Sequence, residues 1–294
     1  MSPDARKLKL VLPKGRLQEK VIALLSAVGV DLTFSSRSYR PLSSDPDIEV
    51  KLLKPQNIPS LVALGRHDAG FAGFDWVLEN GLKDSPDIVE LLDLAYDKVR
   101  LIAAVPDTLA ENDAWRKMKL VVATEYTRIA ERYIAEKKLD AVLIKSFGAT
   151  EALPPEDADL IVDNTSTGST LAVNRLTIVD EILTSTTRFL ASGEAMKDEW
   201  KKEKLSQLVM LMQSKLNANQ KVLLEMNVSK DDFEKLVAQL PAMRSPTVSP
   251  LYGADGGFAV KVAVPTKEVS KLIPKLIARG ARDVLEYRLE KIIV

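Results

Sequence analysis

The chain has 294 residues, of which 46% are hydrophobic and 28% charged, an ordinary soluble composition with room for two or three domains that each bury a core. Its 41 Lys and Arg balance 41 Asp and Glu, which argues against a general nucleic-acid or membrane-surface binder. It has no cysteine and one histidine, His67, so disulfides, thiolate catalysis, zinc–sulfur sites and multi-histidine metal sites are excluded. Nothing near His67 suggests a Ser-His-Asp triad. Any metal is expected to be a hard cation held mainly by substrate oxygens. Residues 1–9 are polar and lead straight into a strand, without a signal peptide or transmembrane run, so a cytoplasmic protein is expected.

Residues 8–12 read as a short apolar strand, 13–17 (Pro-Lys-Gly-Arg-Leu) as a turn, and 18–28 as a helix with Val21, Leu24, Leu25 and Val28 on one face. Gly29 stops that helix. Lys14 and Arg16 therefore stand where strand becomes helix, either as solvated loop charges or as cations that meet a polyanion. Arg37-Ser38-Tyr39-Arg40-Pro41 is a second cationic loop. Guanidinium groups bind phosphate bidentately and stack on flat bases, and Tyr39 offers a ring face as well. A strand at 48–53 leads through Pro55 and Pro59 into a helix with Leu61, Val62 and Leu64. His67 reads as a surface loop residue. In 69–77 a strand ends at a glycine turn and a helix begins near Asp75, which reads as its N-cap. Gly73 would let a ligand approach the backbone.

An apolar strand at 99–105 is ended by Pro106. A strand at 120–123, a helix at 127–136 and a strand at 141–144 follow. The loop 146–152 carries Glu151, either a helix-starting glutamate before Pro154-Pro155 or a carboxylate for a ribose hydroxyl. Residues 159–171 then run from a buried strand into a polar turn with one glycine and five hydroxyls: Thr165, Ser166, Thr167, Ser169 and Thr170. A strand that enters a helix through such a loop makes an anion site, because the first helical N–H groups are unpaired. The hydroxyls add donors, and Gly168 lets the backbone come close. Asp163 stands at the strand–loop junction, a natural place for a carboxylate that receives sugar hydroxyls. The alternative is a Ser/Thr-rich turn that caps its own helix. The lysine of a nucleotide-triphosphatase P-loop is missing, which excludes that motif. Segments 177–185 and 187–191 lean to strand, and 197–216 is a long amphipathic helix.

Residues 221–294 read as a separate small domain. Strands at 222–228, 247–251, 258–264 and 283–287 alternate with helices at 231–240 and 268–278, the β-α-β-β-α-β order of a ferredoxin-like fold. No catalytic constellation is evident there, which suits a ligand sensor or assembly module.

Val162-Asp163-Asn164-Thr165-Ser166-Thr167-Gly168-Ser169-Thr170-Leu171 resembles the phosphoribosyl-pyrophosphate loop of the ATP phosphoribosyltransferase family, whose usual pattern is Asp, two apolar residues, then Ser-Thr-Gly-x-Thr-Leu. Asn164 and Thr165 replace the apolar pair, so this loop is more polar than the pattern. Pro13-Lys14-Gly15-Arg16-Leu17, Gly70-Phe71-Ala72-Gly73-Phe74-Asp75-Trp76, the 148–151 segment and Leu240 to Leu251 resemble further family motifs in the family's order. The last of these is close to a signature of the regulatory domain in the long form of the family.

The resemblance implies an α/β fold: a two-lobed, type II periplasmic-binding-protein-like catalytic region plus the C-terminal ferredoxin-like domain. Its expected boundaries are 1–103 with 192–217 for the first lobe, 104–191 for the second and 218–294 for the regulatory domain. It implies transfer of phosphoribosyl from 5-phosphoribosyl 1-pyrophosphate to N1 of the adenine of ATP, the first step of histidine biosynthesis. The 163–170 loop would hold the 5-phosphate, and Asp163 and Glu151 the ribose hydroxyls. Lys14, Arg16, Arg37 and Arg40 would face pyrophosphate or ATP phosphates, with Mg²⁺ bridging pyrophosphate oxygens. L-Histidine is the expected inhibitor, with Asn227, Thr247 and Ser249 as candidate contacts, in a homo-oligomer that alternates between dimer and hexamer. Two other classes stay open on the residues alone: a non-enzymatic binding protein that closes on its ligand, and a transcription-factor effector domain. The latter has no helix-turn-helix or basic segment to support it.

Overall fold

A computed structural model describes residues 6–35, 38–111, 113–240, 245–253 and 256–293, in two units, Met1–Ser206 and Gln207–Val294. The first unit begins with β1 (Leu8–Pro13), α1 (Gln18–Ala27), β2 (Leu32–Thr33), β3 (Leu42–Ser43), β4 (Ile48–Leu53), α2 (Ile58–Ala63), β5 (Ala69–Gly73), α3 (Phe74–Glu79) and β6 (Ile88–Asp93). It continues with β7 (Val99–Pro106), α4 (Asp107–Ala110), β8 (Leu120–Thr124), α5 (Thr127–Lys137), β9 (Ala141–Lys145), β10 (Leu160–Thr165), α6 (Ser169–Val173), β11 (Leu176–Ser185) and β12 (Thr187–Ser192).

Two five-stranded sheets define two lobes, ordered β4-β1-β5-β12-β6 and β11-β7-β10-β8-β9. Their central strands are buried on both faces, which is why β1 and β7 read as nearly unbroken apolar runs. Each sheet is parallel at its core and accepts one antiparallel strand from the chain that has just crossed between lobes. β12 lies antiparallel between β5 and β6, and β7 antiparallel between β10 and β11. This is the expected type II two-lobed arrangement.

The crossings fall elsewhere than expected. β7 pairs along its whole length in the second sheet, from Val99↔Ser185 to Leu176↔Pro106, so the outward crossing is at 94–98 and not at 103/104. β12 pairs wholly in the first sheet, so the return is at Thr186 and not at 191/192. Apolar strand residues look alike whichever sheet they enter, so sequence pattern does not mark a crossing.

α7 (Glu199–Asn219) is continuous over 21 residues. Lys201 pairs with Asp68 and Lys204 with Asp45, each at 2.7 Å, so the start of the helix is fastened to the first lobe. The second unit contains β13 (Lys221–Val228), α8 (Phe233–Val237), β14 (Thr247–Pro250), β15 (Phe258–Pro265), α9 (Val269–Ile277) and β16 (Arg282–Arg288). Its sheet, β14-β15-β13-β16, is antiparallel throughout, the ferredoxin-like order. β13 alternates strictly: Val222, Leu224, Met226 and Val228 pack with Leu236, Leu272 and Leu276, while the intervening residues lie on the other face.

Candidate active site

Leu160, Ile161 and Val162 bury the start of β10, and the chain becomes polar at Asp163 as it leaves the core. Gly168 then takes φ +80, a left-handed conformation that glycine adopts without strain, and no atom lies within 4 Å of where a side chain would begin. Thr165 Oγ1 accepts the Gly168 N–H at 3.0 Å, and Thr167 Oγ1 lies 3.0 Å from Ser169 Oγ. Leu171 anchors α6 in the core, while Ser166, Thr167, Ser169 and Thr170 are exposed. α6 has only 5 residues, so its dipole is small and the loop's hydroxyls and amides are the main donors.

These groups line a cavity of about 420 Å³ together with Arg16, Glu125, Thr150, Glu151 and Asp163. The structure thus brings Arg16 from the first lobe to the loop and the carboxylates of the second. Burial pushes the Asp163 carboxyl up to about 6, and the negative charges of Glu151 and Glu125 push in the same direction. The Asn164 N–H, donated to Asp163 Oδ1 at 2.7 Å, and a hydrogen bond from Thr150 oppose that shift. Glu125 was not among the expected site residues. It follows β8 directly, with no glycine or hydroxyl cluster to mark it, and only the fold brings it to the cavity that Glu151 and Asp163 line.

A second cavity of about 120 Å³ adjoins the first, since Arg16 and Asn164 line both. Lys14, Gly73, Asp75, Trp76 and Tyr126 also line it. Lys14 Nζ lies 3.2 Å from Tyr39 Oη and 4.5 Å from the centre of its ring. The Arg16 guanidinium is 2.8 Å from Asp97 and largely exposed, a pairing weak enough to be exchanged for a polyanion. Arg40 lines neither cavity. It lies near His67, whose imidazole is shifted down by burial and then by the charges of Lys51 and Arg40. His67 itself is half-buried rather than a surface residue. Arg37 lies outside the described residues.

Asp75 is not the N-cap of α3. That place belongs to Gly73, with φ −66 and ψ 146 and no side-chain cap, while Asp75 sits in the first turn. Its carboxylate is 5% exposed and turns inward. Ser185 Oγ donates to Oδ1 at 2.6 Å, Tyr126 Oη donates to Oδ2 at 2.8 Å, and the Asp75 N–H donates to Ser185 Oγ at 3.0 Å. Asn164 Nδ2 donates to Tyr126 Oη at 2.9 Å. The polar replacement at 164 is therefore used: it joins β10 to a buried chain of bonds that reaches the first lobe. Gly73 lines the small cavity, but its lack of a side chain has an internal cause, because a Cβ there would strike Asp75 Oδ1.

Among the described residues no three His, Cys, Asp or Glu stand close enough together to hold a metal ion. The carboxylates of Glu125, Glu151 and Asp163 share one cavity, and their mutual repulsion is the kind that a hard cation shared with substrate oxygens relieves. In the second unit, Ala259 pairs with Asn227 on one side and Ser249 on the other, which sets Asn227, Thr247 and Ser249 on the sheet face opposite the core. Asn227 Nδ2 is already donated to Asp283 Oδ2 at 2.9 Å.

A family model described as HisG: ATP phosphoribosyltransferase matches residues 54–214, and one described as HisG, C-terminal domain matches 218–291. An ATP phosphoribosyltransferase of Pelotomaculum thermopropionicum is 41% identical over 292 residues, covering 98% of this chain and 99% of that protein. One of Chlorobium chlorochromatii is 39% identical over 298 residues, covering 100% of each. Among solved structures, the ATP phosphoribosyl transferase (HisG:HisZ) complex from Thermotoga maritima contains a chain that matches with a TM-score of 0.61 and 29% identity, covering 70% of this chain and 98% of that one.

Proposed function

Since this chain belongs to the ATP phosphoribosyltransferase family, in the long form with the C-terminal domain, we propose that its cleft moves phosphoribosyl from 5-phosphoribosyl 1-pyrophosphate to N1 of the adenine of ATP. This reaction is the first step of histidine biosynthesis. The observation that carries the reading is the meeting of a hydroxyl-rich loop, three acidic groups and Arg16 in one cavity.

The adenine nitrogen is itself the nucleophile, so no strong nucleophile from the protein is needed. The N1–C1 bond forms as the bond from C1 to the pyrophosphate oxygen breaks, and pyrophosphate leaves with the electron pair. The work left to the protein is orientation and charge. Thr165, Ser166, Thr167, Ser169 and Thr170, with the Gly168 backbone, hold the 5-phosphate. Asp163 and Glu151 receive ribose hydroxyls and favour the positive charge that develops on the sugar. Arg16 and Lys14 face the phosphates. Mg²⁺ bound with the substrate would supply positive charge to the leaving pyrophosphate and would be held mainly by substrate oxygens, since among the described residues no three acidic side chains stand close enough together to hold it. Arg40 is a further candidate to face the phosphates, from outside both cavities.

The same reading makes the last domain a sensor that binds L-histidine through its open sheet face, with Asn227, Thr247 and Ser249 as contacts, in a homo-oligomer that passes between dimer and hexamer in the cytoplasm. It rests on the match of 218–291 to the family's C-terminal domain. Among the described residues no helix is long and apolar enough to cross a membrane.

The test is pyrophosphate release with ATP, phosphoribosyl pyrophosphate and Mg²⁺, each omitted in turn, then repeated with L-histidine. Release that needs all three and falls with histidine is expected. Release unaffected by histidine removes the sensor role, and no release at all overturns the catalytic one.

A further inference from the structure

Behind α3, away from the phosphate loop, lies another cavity of about 580 Å³ that the proposed reaction does not use. One wall is α3 and the turn after it, from the first lobe, and the other is α5, from the second. Phe74, Leu78, Ile129 and Leu183 give it an apolar lining. Its volume lies within the range of sites for small organic ligands.

The polar groups at this cavity are unevenly paired. Arg132 is held by Glu136 at 2.8 Å, and Tyr133 by Asp180 at 2.7 Å. Lys83 and Arg128 line the cavity, and among the described residues neither side chain has a hydrogen-bond or ion-pair partner. Arg128 is nonetheless placed. Glu79 of α3 accepts the N–H groups of Arg128 and Ile129 at 3.0 and 3.1 Å, which docks α3 on the first turn of α5 and sets the guanidinium over Gly81. Asp84 is a further charge on the lining.

We infer that this cavity is a second ligand site, for a small anion with a flat apolar body, such as an aryl carboxylate, sulfonate or phosphate. The apolar lining takes the ring, and Arg128 with Lys83 takes the anionic group. Because one wall comes from each lobe, an occupant touches both and biases their closure to the extent that it binds the open and closed forms unequally.

The test is a fluorescence titration of the full chain with 8-anilino-1-naphthalenesulfonate, a rigid aromatic sulfonate. Saturable binding near one probe per chain is expected. Arg128→Gln and Lys83→Gln should each weaken it about tenfold, the size of one charge-assisted hydrogen bond, while Arg128→Lys should keep most of it. The uncharged N-phenyl-1-naphthylamine should bind wild type and both glutamine variants alike. Equal sulfonate affinity in wild type and both glutamine variants overturns the inference, as does an equal loss for the uncharged probe. Thermal melts check folding, and Lys83→Gln lies outside any helix or strand, so it decides the matter if Arg128→Gln does not fold. The readout is binding alone, so it stands whether or not the cleft transfers phosphoribosyl groups.

Discussion

Tyr126 donates its hydroxyl hydrogen to Asp75 Oδ2 at 2.8 Å, from the second lobe to the first. Both residues are buried, and desolvation together with the Asp75 charge holds the phenol far above its ordinary range. The same oxygen accepts Asn164 Nδ2, one residue from Asp163. Tyr126→Phe leaves a buried carboxylate oxygen and an amide hydrogen without partners. The expected loss is about 1–3 kcal/mol of stability, read from denaturant midpoints, together with a lower kcat. Unchanged stability and kcat would mean that the bond neither holds the lobes nor steadies Asp163.

The phosphate loop is tested by separating the two substrates. Thr167→Val with Thr170→Val removes two exposed hydroxyls while keeping similar side-chain shape. At about 1.5–3 kcal/mol for each of two hydrogen bonds to a charged group, the KM for phosphoribosyl pyrophosphate should rise roughly a hundredfold or more, and that for ATP far less. Steady-state kinetics with each substrate varied decides this. Equal effects on both would mean that the loop cradles something else.

Asp163 predicts a pH dependence of defined sign. Its carboxyl is raised from 3.8 to about 6 in the folded chain, so the native state holds its proton over a range in which the unfolded chain has lost it. Its contribution to stability therefore falls as pH rises from about 4 to 6 and stays low above that. In Asp163→Asn this fall should vanish, so the variant should gain stability relative to wild type across the same range, measured by denaturant titration at several pH values. In wild type, kcat/KM should drop as pH falls through about 6, because the protonated form cannot stabilise a cationic sugar. A flat profile from 5 to 8 would contradict that role.

The sensor proposal is exposed on β14. Thr247→Val with Ser249→Ala removes two hydroxyls from an exposed strand. The L-histidine concentration for half-inhibition should rise about tenfold, with the KM of both substrates unchanged. An unaltered inhibition curve would remove these residues from the site.

Much of this was legible in the sequence because it rests on local pattern. Strand β10, the glycine at 168 and the alternation of β13 follow from residues a few positions apart. What escaped depends on long separations. Asp75 and Ser185 are 110 positions apart, so the aspartate at a helix start resembled an ordinary cap until the fold placed a hydroxyl against it. Glu125 carries no local mark at all. Arg40 carries its guanidinium in a cationic loop, and no local signal says which cavity that loop will face. The lobe crossings were misplaced for a related reason: an apolar strand does not announce which sheet will receive it.

The strand exchange between the lobes also bears on how the chain is made. The sheet of the second lobe, β7 to β11, comes from the uninterrupted stretch 99–185. The first lobe must wait, because β5 and β6 become neighbours only through β12, whose last residue is Ser192. During synthesis from the N-terminus, the lobe that begins first is therefore the one that can close last. Any product that stops before β12 leaves the flanks of β5 and β6 unpaired, an edge open to aggregation.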